Sequence, residues 1–233
     1  MDGKIIFLDN EFENVSDLIE IIEDACTKQK TLSSERIFYF ERINETIEYL
    51  LEMKNNKDKI DVFICDNHLS DLVDGDDFIR FLRGEIVYLL SGEHGYINVN
   101  IKKIRRLEDI ERMLKGKIIR KEFINLIKEN FNNFEEYKSL VNYLDNEGRP
   151  ITTILFCGYP LGVNLKGIED IQIIRKRDGC EYELLEYLEI NNVFSKEDYN
   201  NSLLKHYRLS PYSDKKYYNP RSKHIIKKKL KKL

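Results

Sequence analysis

The chain has 233 residues, 42% hydrophobic and 34% charged, which is enough for two domains with buried cores. No apolar run approaches membrane-spanning length, and the first nine residues are too polar at their ends for a secretory signal, so a cytoplasmic protein with no membrane partner is expected. The formal net charge of −3 hides an asymmetry: from Lys205 onward eleven basic residues face a single acid, Asp214, as a polyanion-binding end on an acidic body would require.

In chain order, residues 1–116 alternate short apolar runs with amphipathic stretches. Lys4–Leu8 and residues 61–65 are continuous apolar runs that each lead into Asp-Asn, and residues 86–90 form a third that leads into Ser91-Gly92. Buried parallel strands have this composition, with functional residues at their carboxyl ends. Helical periodicity fills the gaps at 15–25, 43–53, 77–82 and 107–114, which predicts a doubly wound, flavodoxin-like α/β sheet. Only a short connection separates Ser91 from Lys103, too short for a crossover helix, so the fourth helix is expected to be reduced. Cys26, Cys65, Cys157 and Cys180 lie far apart in or beside apolar runs and are expected as buried free thiols rather than metal ligands.

The polar residues at these strand ends, Asp9, Asp66, Ser91 and Lys103, resemble the phosphoacceptor site of two-component receiver domains. The resemblance implies that Asp66 is the phosphoacceptor and that Mg²⁺ is held by Asp9, Asp66 and the backbone carbonyl of His68. It also implies that the Ser91 hydroxyl grips a phosphoryl oxygen and that Lys103, or Lys102 if the strand shifts by one, pairs with Asp66. The chain departs from the family pattern in three places. It has one certain carboxylate after the first strand, with Glu11 as a stand-in. Ser70 stands where the loop usually has proline, and Ile104 follows the lysine. Asp9 and Asp66 are also ordinary turn residues at strand ends.

Residues 117–149 carry two helical patterns, Phe123/Leu126/Ile127 and Phe134/Tyr137/Leu140/Val141/Leu144, and end in Asp145-Asn-Glu-Gly-Arg-Pro150. They read as a helical connector, or as a receiver tail packed back on its own sheet. Residues 150–233 read as all helical, with helices expected at 151–158, 168–177, 181–190, 196–207 and after Pro220.

The stretch from Ile151-Thr152-Thr153-Ile154-Leu155 through Gly162 to Lys166-Gly167 resembles the opening helices of the DNA-binding domain in the stage-zero sporulation response regulator family. Leu203-Leu204-Lys205-His206-Tyr207 is similar to the helix before its recognition helix. That family implies a helix-turn-helix type reader of the major groove. One register starts the recognition helix at Ser210-Pro211 and presents Lys215 and Lys216. The preferred one starts at Asn219-Pro220 and presents Arg221, Lys223, Lys227 and Lys228. With Lys205, these are the expected DNA-binding residues.

The sequence thus points to a non-enzymatic response regulator. Its expected domains are a receiver-like domain at 1–116, a connector at 117–149 and a DNA-binding domain at 150–233. Its expected partners are DNA, a histidine kinase or phosphotransfer protein, and a second copy in a homodimer. The alternative is a phosphorelay interaction protein that does not bind DNA and competes for a kinase, a phosphotransfer protein or a full-length relative.

Overall fold

The computed structural model describes residues 3–27, 36–69, 73–89, 96–113, 122–145, 151–158, 171–176, 180–190 and 193. Five strands form one parallel sheet: β1 (Lys4–Leu8), β2 (Ile37–Phe40), β3 (Ile60–Asp66), β6 (Thr152–Cys157) and β7 (Ile171–Arg175), in the order β2-β1-β3-β6-β7. Counting only strands of this sheet, the order is 2-1-3-4-5, and the winding direction reverses between β1 and β3.

Alternation along each strand sends side chains to two cores. Ile5, Phe7, Val62, Ile64, Ile154, Phe156 and Ile174 pack under α1 (Ser16–Thr27) and α7 (Cys180–Ile190). Ile6, Leu8, Phe63, Cys65 and Leu155 face the other way, toward α2 (Ile43–Asn56) and α3 (Gly75–Leu82). Helices on both faces make this a doubly wound α/β fold, as the apolar runs predict.

Between α3 and β6 the chain makes a long excursion. It holds an antiparallel hairpin, β4 (Glu85–Leu89) with β5 (Tyr96–Asn100), followed by α4 (Leu107–Met113), α5 (Glu122–Asn130) and α6 (Phe134–Asp145). This excursion joins the second core. Phe81 stacks on Phe123 and Tyr137, with ring centroids 5.8 and 4.6 Å apart, and the Tyr137 hydroxyl donates to the Phe81 carbonyl at 2.7 Å. All eight residues of α3 are buried as a result, and the Arg80 guanidinium, 1% exposed, is held by Glu85 at 2.6 Å. Residues 117–149 are therefore a packed part of this fold where they are described, in line with the tail alternative rather than with a free-standing connector.

Three expectations are corrected. The run expected at 86–90 is a strand over its described residues, in β4, and β5 precedes Lys103, but the two pair with each other in a separate two-stranded sheet and not with the parallel one. The reason is connection length: residues 90–95 suffice for a hairpin and not for a parallel crossover. Residues 152–157 form a central strand and 171–175 an edge strand, where helices were expected at 151–158 and 168–177. The β-branched content of Thr-Thr-Ile and Ile-Gln-Ile-Ile suits a pleated, buried surface better than a helix. A domain boundary at 150 would cut the five-stranded sheet, so the segment 151–175 completes the α/β domain instead of opening a helical one. The helix expected at 181–190 is present as α7. Among the described residues no helix is long and apolar enough to cross a membrane.

Candidate functional site

The carboxyl ends of β1, β3 and β7 converge on one crevice beside the point where the sheet reverses direction. Asp9 follows β1, Asp66 ends β3 and Lys176 follows β7. Both carboxylates are buried, with Asp9 1% and Asp66 6% exposed. The Lys176 ammonium lies between them, 2.9 Å from Asp9 Oδ2 and 2.8 Å from Asp66 Oδ1. To reach Asp66 it must cross β6, and it does so with Nζ 5.4 Å from the centre of the Phe156 ring, the residue paired with Asp66 in the sheet register. The Lys176 N–H donates to the Cys157 carbonyl at 2.7 Å, which fixes the start of the side chain at the sheet edge.

The remaining carboxylate oxygens are held by backbone. Asp9 Oδ1 accepts from the Glu11 N–H at 2.9 Å, and Asp66 Oδ2 accepts from the His68 N–H at 3.3 Å. The Asp9 backbone is itself tied to β2: its N–H donates to the Phe40 carbonyl, and its carbonyl accepts from the Tyr39 hydroxyl at 2.6 Å. Behind Asp66 the loop closes tightly, because the Gly75 N–H donates to the Asn67 carbonyl at 2.7 Å and the start of α3 lies against the Asp66 carbonyl. A side chain at Gly75 would collide with that carbonyl, which explains a glycine there.

Burial raises the pKa of Asp9 above its ordinary value, although the Glu11 N–H and the Lys176 ammonium pull it back. For Lys176, burial pushes downward, but the hydrogen bonds and charges of Asp66 and Asp9 outweigh it, and the net shift is upward. The ammonium is thus held in its protonated form between the two carboxyl groups. Two thiols flank the cluster. Cys65 is buried beside Asp66, with Sγ 3.2 Å from the Asp66 carbonyl, and burial drives its pKa well up. Cys157, at the end of β6, is raised by burial and then by the Asp66 charge. Both are neutral and unreactive as nucleophiles. Of the cysteines expected to be buried thiols, Cys65 and Cys157 are buried, whereas Cys180 is only half-buried.

Asp9 and Asp66 are brought together as expected from strand ends in one crevice. Lys103 is corrected. It is exposed after the hairpin strand β5, and Lys102 pairs with Asp145 at 2.9 Å. Among the described residues, the lysine that reaches Asp66 is Lys176. The signal that would have found it is the β-branched run at 171–174, which ends in Arg175-Lys176 as a buried strand ends in functional residues. Helical spacing of the same isoleucines obscured it. Ser91 lies outside the described residues. The strand next to β3 on the Lys176 side is β6, so the side chain at that strand's end is the Cys157 thiol.

The His68 imidazole is exposed and approaches Asp74 at 4.0 Å, so this residue meets Asp66 through its backbone. Glu11 is exposed and likewise contributes its backbone N–H. The expected DNA-binding residues Lys205, Lys215, Lys216, Arg221, Lys223, Lys227 and Lys228 lie outside the described residues.

The donor set suits a hard divalent cation. Two buried carboxylates offer oxygen lone pairs beyond those engaged by the Lys176 ammonium and by the Glu11 and His68 N–H groups. Asp74, Asp76 and Asp77 form a second acidic group, with ligand oxygens within 4.8 Å of one another at the first turn of α3, where the helix dipole favours negative charge. No protein-family model, curated protein or solved structure matches this chain.

Proposed function

We propose that this chain is a receiver-like regulatory protein in which Asp66 accepts a phosphoryl group. The observation that carries the reading is the Asp9–Lys176–Asp66 bridge at the carboxyl edge of a 2-1-3-4-5 parallel sheet. An Asp66 carboxylate oxygen attacks phosphorus in the phosphohistidine of a histidine kinase or phosphotransfer protein. An O–P bond forms, the P–N bond breaks, and the departing imidazole takes a proton from solvent. Lys176 is paired with the attacking carboxylate at 2.8 Å and, once one carboxylate oxygen is esterified, offers its charge to the phosphoryl oxygens. Asp9 and Asp66, with the His68 carbonyl, would hold Mg²⁺, whose chemistry is to neutralise charge on the transferred group. Cys157 stands where the resemblance to receivers puts a hydroxyl, and a neutral thiol is a weaker donor to a phosphoryl oxygen.

The test is phosphoryl incorporation from acetyl phosphate in the presence of Mg²⁺, followed by intact-protein mass spectrometry. Wild type is expected to gain one acid-stable, base-labile adduct and Asp66→Asn none. An unmodified wild type, or an adduct retained by Asp66→Asn, would sink the proposal.

The output proposed for the domain is DNA binding through the basic C-terminal residues, with Arg221 as the base-reading side chain and the lysines on phosphates. Phosphorylation-dependent pairing of two chains and a cytoplasmic location belong to the same reading. A phosphorelay interaction protein is the second reading. It is favoured by the β-strand at 152–157, which removes the sporulation-type helix that supported a DNA-binding domain. Duplex binding that resists moderate salt favours the first, and capture of a histidine kinase without duplex binding favours the second.

A further inference from the structure

The excursion between α3 and β6 carries a second basic stretch, apart from the one that begins at Lys205. Residues 102–121 hold nine basic residues and three acidic ones, in a protein whose net charge is −3. Where this segment is described, it borders a concave groove of about 700 Å³ between the start of α4 and the α5–α6 turn. The floor is apolar, from Leu107, Ile127 and Phe134, and the rim carries four cations, Arg105, Arg106, Arg112 and Lys128, against two carboxylates, Glu108 and Glu135.

The rim charges differ in how they are engaged. Lys128 is paired with Glu111 at 2.6 Å and Arg112 with Asp109 at 3.1 Å. Arg105 and Arg106 are adjacent and exposed, and neither makes an ion pair among the described residues. Two neighbouring guanidinium groups offer planar forks that match phosphate oxygens and can lie flat on a base. Concavity selects the form of the polyanion: a duplex needs a protruding helix or ribbon to enter its groove, while a single strand settles into a depression lined with positive charge.

We propose that this groove binds single-stranded nucleic acid, with Arg105 and Arg106 on its phosphodiester backbone. The inference does not rest on Asp66 and survives if phosphorylation fails. It also places a nucleic-acid contact apart from the basic C-terminal stretch.

Fluorescence anisotropy of the full chain with a labelled 20-nucleotide DNA strand, and with the same sequence as RNA, tests it over a salt series. The double variant Arg105→Ala/Arg106→Ala is expected to bind about tenfold more weakly near 0.1 M salt. Its log–log salt slope should fall by roughly 1.4, because each lost phosphate contact on a single strand removes about 0.7. Both side chains are exposed, so its thermal midpoint should match wild type. The control Arg42→Ala/Lys54→Ala, which removes two positive charges from α2 outside both the groove and the C-terminal stretch, should keep most of the affinity. A preference between the DNA and RNA strands tells which of them the groove takes. The proposal is overturned if wild type binds neither strand, if the control alone loses binding, or if an oligoglutamate peptide competes as well as unlabelled strand at equal charge. The last result would assign the groove to an acidic protein segment.

Discussion

Lys176 is the residue on which the crevice depends. Its ammonium sits between two carboxylates that water barely reaches, and replacing it with methionine would leave those carboxylates facing each other unscreened. Breaking a buried pair by removing one partner costs about 3–5 kcal/mol, so Lys176→Met is expected to lose about that much stability at pH 8. The sign of its pH dependence follows from linkage. Without the ammonium, one aspartate holds a proton in the folded state that it releases on unfolding, so the variant should be more stable near pH 5 than at pH 8. Wild type should behave differently. Its lysine is raised above the ordinary 10.5, so that contribution is fully present below 10.5 and is lost only as pH climbs through the folded value. Urea midpoints at pH 5, 8 and 11 for both proteins check this. Equal midpoints for the variant at pH 5 and 8 would mean that the carboxylates separate when the lysine is gone.

At the scale of the element, the join between β3 and α3 governs the geometry of Asp66. Gly75→Ala would drive a methyl group into the Asp66 carbonyl and force the helix away from the strand, at about 2–3 kcal/mol. The expected result is a lower denaturant midpoint together with reduced phosphoryl incorporation at Asp66. A variant that lost stability but kept incorporation unchanged would show that the loop carries no positional information for the carboxylate. The same scale shows what the sequence made legible. The strands β1 and β3 stood out because continuous apolar runs led directly into Asp-Asn, and α2 and α7 because their apolar spacing was helical. β6 and β7 did not, for two physical reasons. Their partners in the sheet are far away in sequence, so no local hairpin signal marks them, and short apolar runs of four to six residues satisfy helical and strand periods alike. Reading 86–90 as the fourth strand had a good local basis, since it is a strand. What sends it to a hairpin outside the sheet is the shortness of the connection at 90–95, which the sequence displays but which reads equally as a lost fourth helix. Asp9 and Asp66 were therefore found from the sequence, and the lysine was sought one hairpin too early.

For the whole molecule, the excursion is structural rather than appended. Phe123, Phe131, Tyr137, Leu140 and Leu144 are buried in the same core as Phe63, Phe78 and Leu155. Replacing 85–145 by a short linker would expose one face of the sheet and α3 together. The shortened chain is expected to show no cooperative thermal transition, whereas the full chain should unfold in a single one when followed by circular dichroism and tyrosine fluorescence. A shortened chain that melts cooperatively near the wild-type temperature would mean that the excursion is a satellite.

The placement of β6 also has a temporal side. Its partner β3 is complete at residue 66, yet the strand that covers β3's open edge begins at residue 152. During synthesis an apolar strand thus waits, unpaired on one side, while residues 67–151 leave the ribosome at about 5–20 per second. In the interval α2, α3 and the excursion can shield one face of β3, but nothing local satisfies its edge amides. Long-range parallel pairing of this kind is slow to form, so the nascent chain passes through a window of seconds in which β3 is its most adhesive segment.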